Sequence, residues 1–174
     1  PREPARAEET RMADSDPYPD ERFSRSRTIP APASAIFAVL ADPSRHQETE
    51  PGDWVRTAFD PEPITEVGQI FGMNMYGEGA GGDYQMHNTV TTFDSERSIA
   101  WEPGQPDETG TVIPGGWRWR YDLEEVETGT EVRLTYDWSA TTQETRDFFG
   151  GFPVVGPEFL DESLATLERA VTRQ

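Results

Sequence analysis

The chain has 174 residues, enough for one domain with its own core, and 33 acidic against 15 basic side chains give it a formal net charge of -18. This acidity argues against nucleic acid as a partner, and the basic residues are all arginine, which excludes lysine Schiff-base chemistry. Because the chain has no cysteine, it can form neither a disulfide nor a sulfur-ligated zinc site.

Residues 1–21 are rich in Pro, Glu, Asp and Arg and have no hydrophobic periodicity, which predicts a mobile tail. We therefore expect a single domain over residues 22–174. No apolar run reaches the length of a signal-peptide core or a membrane span. The sequence thus predicts a cytoplasmic protein without membrane insertion.

The domain begins with a predicted strand, Arg22–Ile29, followed by two prolines and a short helix over residues 33–41. This helix carries small and apolar side chains up to an Asp-Pro pair, where it must end. A polar segment, residues 44–53, then leads to a short second strand over residues 54–59.

Two further strands are predicted over residues 69–76 and 83–93. When Tyr76 is paired with Asp83, the apolar side chains of both strands fall on one face. The opposed pairs are then Met75 with Tyr84, Met73 with Met86, and Phe71 with Asn88.

The glycine-rich tip between these strands, residues 77–82, has the spacing of a dinucleotide-binding motif. That motif needs a helix N-terminus after the glycines, and a strand follows here. We therefore expect a flexible hairpin tip and no cofactor. A fifth strand over residues 98–102 and a long Pro/Gly loop over residues 103–115 come next.

Residues 116–139 alternate strictly between apolar and polar side chains about a Thr-Gly turn, which predicts a half-buried antiparallel hairpin. A two-residue turn would set Glu124 against Glu131, whereas a four-residue loop would pair Glu124 with Arg133, Arg120 with Asp137 and Trp119 with Trp138. Because like charges opposed across two strands are unfavourable, we predict the four-residue loop.

The last section predicts a helix that begins at Thr141 with a capping box and breaks near Gly150 and Gly151. A second helix starts at Pro157. It carries an apolar stripe at helical spacing, which is the natural cover for the aromatic hairpin: Phe159, Leu160, Ser163, Leu164, Leu167 and Val171.

The order of strand, helix, antiparallel strands and long C-terminal helix resembles the START-like superfamily of polyketide cyclase/dehydrase and lipid-transport proteins. The local match lies in the first helix with its Ala-Asp-Pro-Ser-Arg ending, residues 41–45, and in the close of the last strand, residues 135–139. The resemblance implies an α+β helix-grip fold, in which a curved antiparallel sheet wraps round the C-terminal helix and encloses an apolar cavity. It implies no particular reaction, so function must be argued from the site.

Two groups of polar side chains are candidates for chemistry. His46, Glu48, Glu50 and Asp53 alternate like metal ligands, but a lone histidine in a polar loop of so acidic a chain is expected to be solvated, and we predict no metal. His87 is a weak catalytic candidate. Because side chains alternate between the two faces of a strand, it lies on the face opposite Met86 and towards solvent.

The predicted ligand-binding set combines inward aromatic and methionine side chains with Asn88, whose buried amide would need a partner. Two phenylalanines at the helix break are added because they would lie near the cavity mouth. The set is Met73, Met75, Tyr84, Met86, Asn88, Trp101, Trp117, Trp119, Tyr121, Tyr136, Trp138, Phe149 and Phe152.

Three functions fit this reading. The first is binding of a small apolar molecule, ring-containing or lipid-like, between the sheet and the C-terminal helix. The second is an enzyme of polyketide cyclase or dehydratase type, which needs a titratable group inside the cavity. The third is a protein-interaction module with a filled core.

Overall fold

A computed structural model describes residues 16–173 of the chain. Its strands are β1 Arg22–Ile29, β2 Val55–Phe59, β3 Ile70–Gly77, β4 Gly82–Asp94, β5 Ser98–Pro106, β6 Val112–Pro114, β7 Arg118–Val126 and β8 Gly129–Asp137. Its α-helices are α1 Ala33–Leu40, α2 Gln143–Phe149 and α3 Pro157–Thr172, and a 3₁₀ helix spans Pro43–Thr49.

The strands form one antiparallel sheet in the order β1-β8-β7-β5-β4-β3-β2, with β6 paired to β5. The α3 helix lies across this sheet and contacts β1, β8, α1 and the 3₁₀ helix. Its buried stripe contains Leu160, Ser163, Leu164 and Leu167, as predicted. The α+β helix-grip architecture expected from the sequence is therefore confirmed.

The start of the described chain packs against this domain. Residues 1–15 of the predicted tail lie outside the described residues. Tyr18 contacts Phe23 and Trp138, with ring centroids 5.0 and 6.0 Å apart. Glu21 forms an ion pair with Arg146 of α2, so the chain is tied to the domain before β1 begins.

The hairpin of β3 and β4 has the predicted register. Met75 opposes Tyr84, Met73 opposes Met86, and Phe71 opposes Asn88. The tip is a short 3₁₀ turn followed directly by β4, so no helix N-terminus stands after the glycines.

The hairpin of β7 and β8 has the other register, and the predicted four-residue loop is wrong. Glu124 opposes Glu131, Trp119 opposes Tyr136, and a two-residue turn separates Val126 from Gly129. Arg120 consequently does not meet Asp137. It forms an ion pair of 2.9 Å with Asp122 of its own strand.

Exposure explains why the like-charge pair is tolerated. Glu124 and Glu131 are both exposed, so water and salt screen their repulsion to a few tenths of a kcal/mol. The two-residue turn extends the ladder to Val126 and Gly129 and sets Asp122 opposite Arg133. It also sets Arg118 opposite Asp137. A longer ladder with two opposite-charge pairs outweighs a screened repulsion.

Two segments predicted as irregular contain regular structure. The polar segment begins within the 3₁₀ helix, which Asp42 caps by accepting a hydrogen bond from Ser44 N at 3.0 Å. In the loop predicted over residues 103–115, β5 continues to Pro106 and β6 pairs with it. The α2 helix is capped by Thr142, one residue after the predicted Thr141, with Thr142 Oγ1 accepting from Thr145 N, and it ends at a left-handed Gly150 as predicted.

Among the helices of residues 16–173, none has the length and hydropathy that a membrane crossing requires.

The first residue of β8, Gly129, gives a direct test of how closely β8 packs against β1. Gly129 has φ +144°, and a Cβ there would overlap the carbonyl oxygen of Ile29. We expect Gly129→Ala to lower the free energy of unfolding by about 2 to 4 kcal/mol, because backbone strain and a backbone clash add. Urea denaturation of the full chain measures this change.

Gly79→Ala is the matched control, because a Cβ at that position meets open space. Its free energy of unfolding should stay within about 0.5 kcal/mol of the wild type. Equal stability of the two variants would contradict the close approach of Gly129 to β1.

Candidate functional site

A cavity of about 100 Å³ lies between the inner face of the sheet and α3. An apolar cavity of about 150 Å³ can take up one benzene molecule, so a single small ring would fill this space after a modest movement of its walls. Its lining residues are His46, Thr49, Glu50, Trp54, Val55, Phe71, Met73, Met75, Met86, Asn88, Trp101, Pro103, Trp117, Trp119, Tyr121, Leu134, Phe159 and Ser163.

Most of the side chains predicted to contact a ligand lie on this lining. Alternate residues of antiparallel strands point to one face of a sheet, which is why strand parity brings them together. They are Met73, Met75, Met86, Asn88, Trp101, Trp117, Trp119 and Tyr121.

Two predicted tyrosines support the lining from behind. The Tyr84 hydroxyl accepts a hydrogen bond of 2.5 Å from Trp54 Nε1. Tyr136 stacks on Trp119, with centroids 4.4 Å apart and an interplanar angle of 12°. Burial raises the pKa of Tyr136 to about 12, and the Val154 N–H that it accepts opposes this shift. Tyr84 and Tyr136 thus hold two indoles of the cavity wall in place.

The other three predicted residues also lie outside the lining. Trp138 packs between Phe23 and Tyr136, at 5.4 and 5.2 Å. Phe149 and Phe152 contact Trp117 at 5.5 and 5.6 Å. They form a layer behind Trp117, so the break after α2 covers one wall of the cavity.

Sequence reasoning missed the cavity mouth. Trp54 meets Phe159 of α3 at 5.6 Å and Trp119 of β7 at 6.3 Å. All three rings line the cavity and are only partly buried, and we take the mouth of the cavity to lie between them. The available signal for Trp54 was a large aromatic side chain directly after the polar segment. Phe159 was predicted only as part of the apolar stripe of α3.

His46 is buried in the cavity wall, whereas the sequence predicted a solvated side chain. Its imidazole is 5% exposed, stacks on Trp101 at 5.0 Å and meets Phe71 edge-on at 5.2 Å. Its Nε2 lies 2.7 Å from Leu40 O. Because a carbonyl oxygen only accepts, Nε2 carries the proton. Burial lowers the pKa of His46 and favours this neutral form.

Glu50 is buried as well, and its partners are backbone N–H groups. Its carboxylate accepts from Gly52 N at 2.7 Å, Trp54 N at 3.1 Å and Val55 N at 3.2 Å. These three bonds fix the turn that delivers Trp54 to the cavity mouth.

The rest of the suspected metal cluster is dispersed. Glu48 pairs with Arg45 at 2.9 Å, and Asp53 pairs with Arg56 at 2.7 Å. Across residues 16–173, no three metal-ligating side chains converge.

Asn88 is buried on the inner face, as its parity predicted. Its Nδ2 donates to Phe71 O on the opposed residue of β3, over 3.4 Å. This bond uses one amide hydrogen. The backbone is therefore one partner of the amide, and the Oδ1 atom can still accept a hydrogen bond.

Tyr121 borders the same end of the cavity, 5.9 Å from Trp101. Burial raises the pKa of Tyr121 far above its ordinary value, and the Thr49 hydroxyl opposes the shift. The phenol therefore stays protonated at neutral pH.

His87 lies on the outer face of the sheet, as predicted, beside Phe59 at 5.4 Å. It does not line the cavity. The enzymatic alternative needs a titratable group inside, and the histidine that borders the cavity is His46.

A family model for Activator of Hsp90 ATPase homolog 1-like protein matches residues 30–165. The uncharacterized protein Rv0088 of Mycobacterium tuberculosis (strain ATCC 25618 / H37Rv) is 32% identical over 120 residues, which cover 68% of this chain and 48% of that protein. Its counterpart MT0096 in strain CDC 1551 / Oshkosh is 33% identical over the same shares. The chain thus spans about half the length of the curated relatives it matches.

Two solved structures illustrate the likeness of fold. Protein CV1439 from Chromobacterium violaceum has a TM-score of 0.63 at 16% identity, covering 88% of this chain and 99% of that one. A protein from Arthrobacter aurescens has a TM-score of 0.64 at 18% identity, covering 91% and 90%. With the family match, they confirm the START-like fold.

The buried imidazole makes stability depend on pH in a defined direction. Because the folded pKa of His46 lies below its ordinary value of 6.5, the unfolded chain binds a proton there that the folded chain refuses. The free energy of unfolding should therefore fall as the pH drops below about 6.5, by at most about 1.4 kcal/mol per pH unit for this group, until the folded pKa is reached. His46→Phe, which keeps a ring against Trp101, should remove that part of the slope.

Urea denaturation at a series of pH values measures both slopes. His87→Phe is the control, because it replaces the outer histidine and leaves the His46 contribution in place. Parallel profiles for wild type and His46→Phe would contradict a neutral buried imidazole.

Proposed function

This chain belongs to the family of Activator of Hsp90 ATPase homolog 1-like proteins, and we propose that it binds a small apolar molecule, ring-containing or lipid-like, between the sheet and α3. The observation that carries the proposal is the lining of the cavity, which combines aromatic rings, three methionines and few polar groups. Such a surface offers area burial and ring stacking, and polar groups few enough to orient a ligand.

Methionine makes this surface adaptable. Met73, Met75 and Met86 lie on adjacent strands and line the cavity together. A thioether chain is unbranched and polarizable, so it can follow ligands of different outline at little cost. We therefore expect modest selectivity for shape along the β3 and β4 wall.

Ligands larger than one ring need the mouth to open. Trp54 and Phe159 close it from opposite sides, and the hydrogen bond from Trp54 to Tyr84 holds the first of them. Outward rotation of Trp54 breaks one hydrogen bond and one aromatic contact, which costs about 1 to 3 kcal/mol. For a lipid-like ligand, the additional apolar area that is buried on binding would offset this free-energy cost.

The charge of the chain favours a neutral ligand. A net charge of -18 repels anions over the distance at which fields steer association. An uncharged ring also avoids the cost of moving a charge into an apolar cavity.

p-Xylene, a neutral single ring, is a suitable probe. We expect it to bind the full chain in isothermal titration calorimetry and to raise the midpoint of thermal unfolding, because it binds the folded state alone. Ser163→Leu should abolish binding, since Ser163 is a buried lining residue of α3 and the larger side chain would occupy the cavity.

Thr166→Leu adds similar bulk to the same helix at a position that does not line the cavity. This control should bind p-xylene as the wild type does. Wild type that fails to bind p-xylene, or Ser163→Leu that binds it equally well while folded, would overturn the proposal.

A further inference from the structure

We infer that the preferred ligand carries a hydroxyl group on its ring, which donates a hydrogen bond at the end of the cavity formed by His46 and Asn88. This inference rests on the proposed function, because it names the chemistry of the molecule that the cavity takes. Its basis is a surplus of hydrogen-bond acceptors among the buried side chains of the lining.

The first acceptor is His46 Nδ1. The Nε2 proton of this ring is committed to Leu40 O at 2.7 Å. The stacking on Trp101 and the edge contact with Phe71 hold the ring plane. In a neutral imidazole whose Nε2 is protonated, Nδ1 is an acceptor and points away from the Nε2 partner. Burial of the ring favours the neutral form.

The second acceptor is Asn88 Oδ1. The amide orientation follows from its partner, because Phe71 O can only accept and so must face the Nδ2 group. The carbonyl end of the amide then points elsewhere. Asn88 is 4% exposed and borders the cavity.

Both acceptors have access to open space. Among the side-chain nitrogen and oxygen atoms of residues 16–173 that solvent cannot reach, Thr91 Oγ1 and Thr141 Oγ1 lack a hydrogen-bond partner. His46 Nδ1 and Asn88 Oδ1 also have no hydrogen-bond partner within that part of the chain, but they border space that a solvent molecule can reach. The open space that both residues border is the cavity.

The two acceptors lie at the same end of the cavity. His46 contacts the Phe71 ring, and Asn88 is paired with Phe71 across β3 and β4. Tyr121 on β7 lies beside Trp101, which stacks on His46. Its hydroxyl can donate or accept a hydrogen bond. We call His46, Asn88 and Tyr121 the polar end.

A hydroxyl group matches the polar end better than a neutral group that only accepts hydrogen bonds. It donates its one hydrogen to one of the two acceptors. A ketone, an ether or an ester would set lone pairs against His46 Nδ1 and Asn88 Oδ1. A hydrocarbon would leave both acceptors buried without a partner, which is unfavourable.

A pair of isosteric probes isolates the hydroxyl. p-Cresol and p-xylene differ by one OH in place of one CH₃, and area burial alone favours p-xylene because it is more apolar. We expect p-cresol to bind the wild-type full chain about tenfold more tightly in isothermal titration calorimetry, because satisfying one of the buried acceptors outweighs the lost methyl.

His46→Phe should reduce this preference to about onefold or reverse it. The ratio of the two affinities is the readout, because a change in cavity shape affects two isosteric probes alike. Asn88→Leu should also reduce the preference for p-cresol. It replaces His46→Phe in the test if that variant does not fold. His87→Phe is the matched control, because it replaces a histidine on the outer face, and its preference should equal that of the wild type.

The outcomes separate the two proposals. If the wild type binds p-xylene as tightly as p-cresol or more tightly, the assignment of a hydroxylated ligand is overturned and the binding function stands. If folded His46→Phe and folded Asn88→Leu both keep the full preference for p-cresol, the assignment to the polar end is overturned. If neither probe binds the wild type, the proposed function itself fails.

Discussion

The fold depends on covering the aromatic inner face of one wide, curved sheet. A helix is roughly 10 to 12 Å across, whereas strands lie about 4.8 Å apart, so α3 alone covers only two or three of them. It lies over β1 and β8, where Leu160, Leu164 and Leu167 are fully buried. Over β3, β4, β5 and β7 the cover comes from α1, the 3₁₀ helix and the residues around Trp54. The cavity is the space that these elements leave unfilled.

The same constraint explains why polar side chains enter the cavity wall. Backbone groups on either side of the 3₁₀ helix need partners, so His46 donates to Leu40 O at the end of α1 and the Glu50 carboxylate accepts from three N–H groups at and before the start of β2. These bonds hold a polar segment against an apolar sheet. They also leave the imidazole with a free acceptor facing the cavity, so a structural requirement of the fold produces a polar group able to orient a ligand.

Strand parity predicted the sheet well, because side chains alternate with a period of two and one face must be apolar. It placed Met73, Met86 and Asn88 inward and His87 outward, as the structure has them. It failed at the turn before Gly129, because two registers keep the same face apolar, and the repulsion between glutamates that was used to choose between them is screened by water. It also missed His46 and Glu50, since their burial depends on a 3₁₀ helix packing against distant strands, and local composition carries no signal for such a contact.

The central claim is that the space beside the methionines of β3 and β4 takes an apolar ring. Methionine methyl NMR tests it most directly, with the full chain labelled at the methionine methyl carbons and the resonances assigned by substitution. On addition of p-xylene, the signals of Met73, Met75 and Met86 should shift together and saturate, because a ring lying over a methyl group changes its magnetic environment. Unchanged signals for all three at saturating p-xylene would contradict the account.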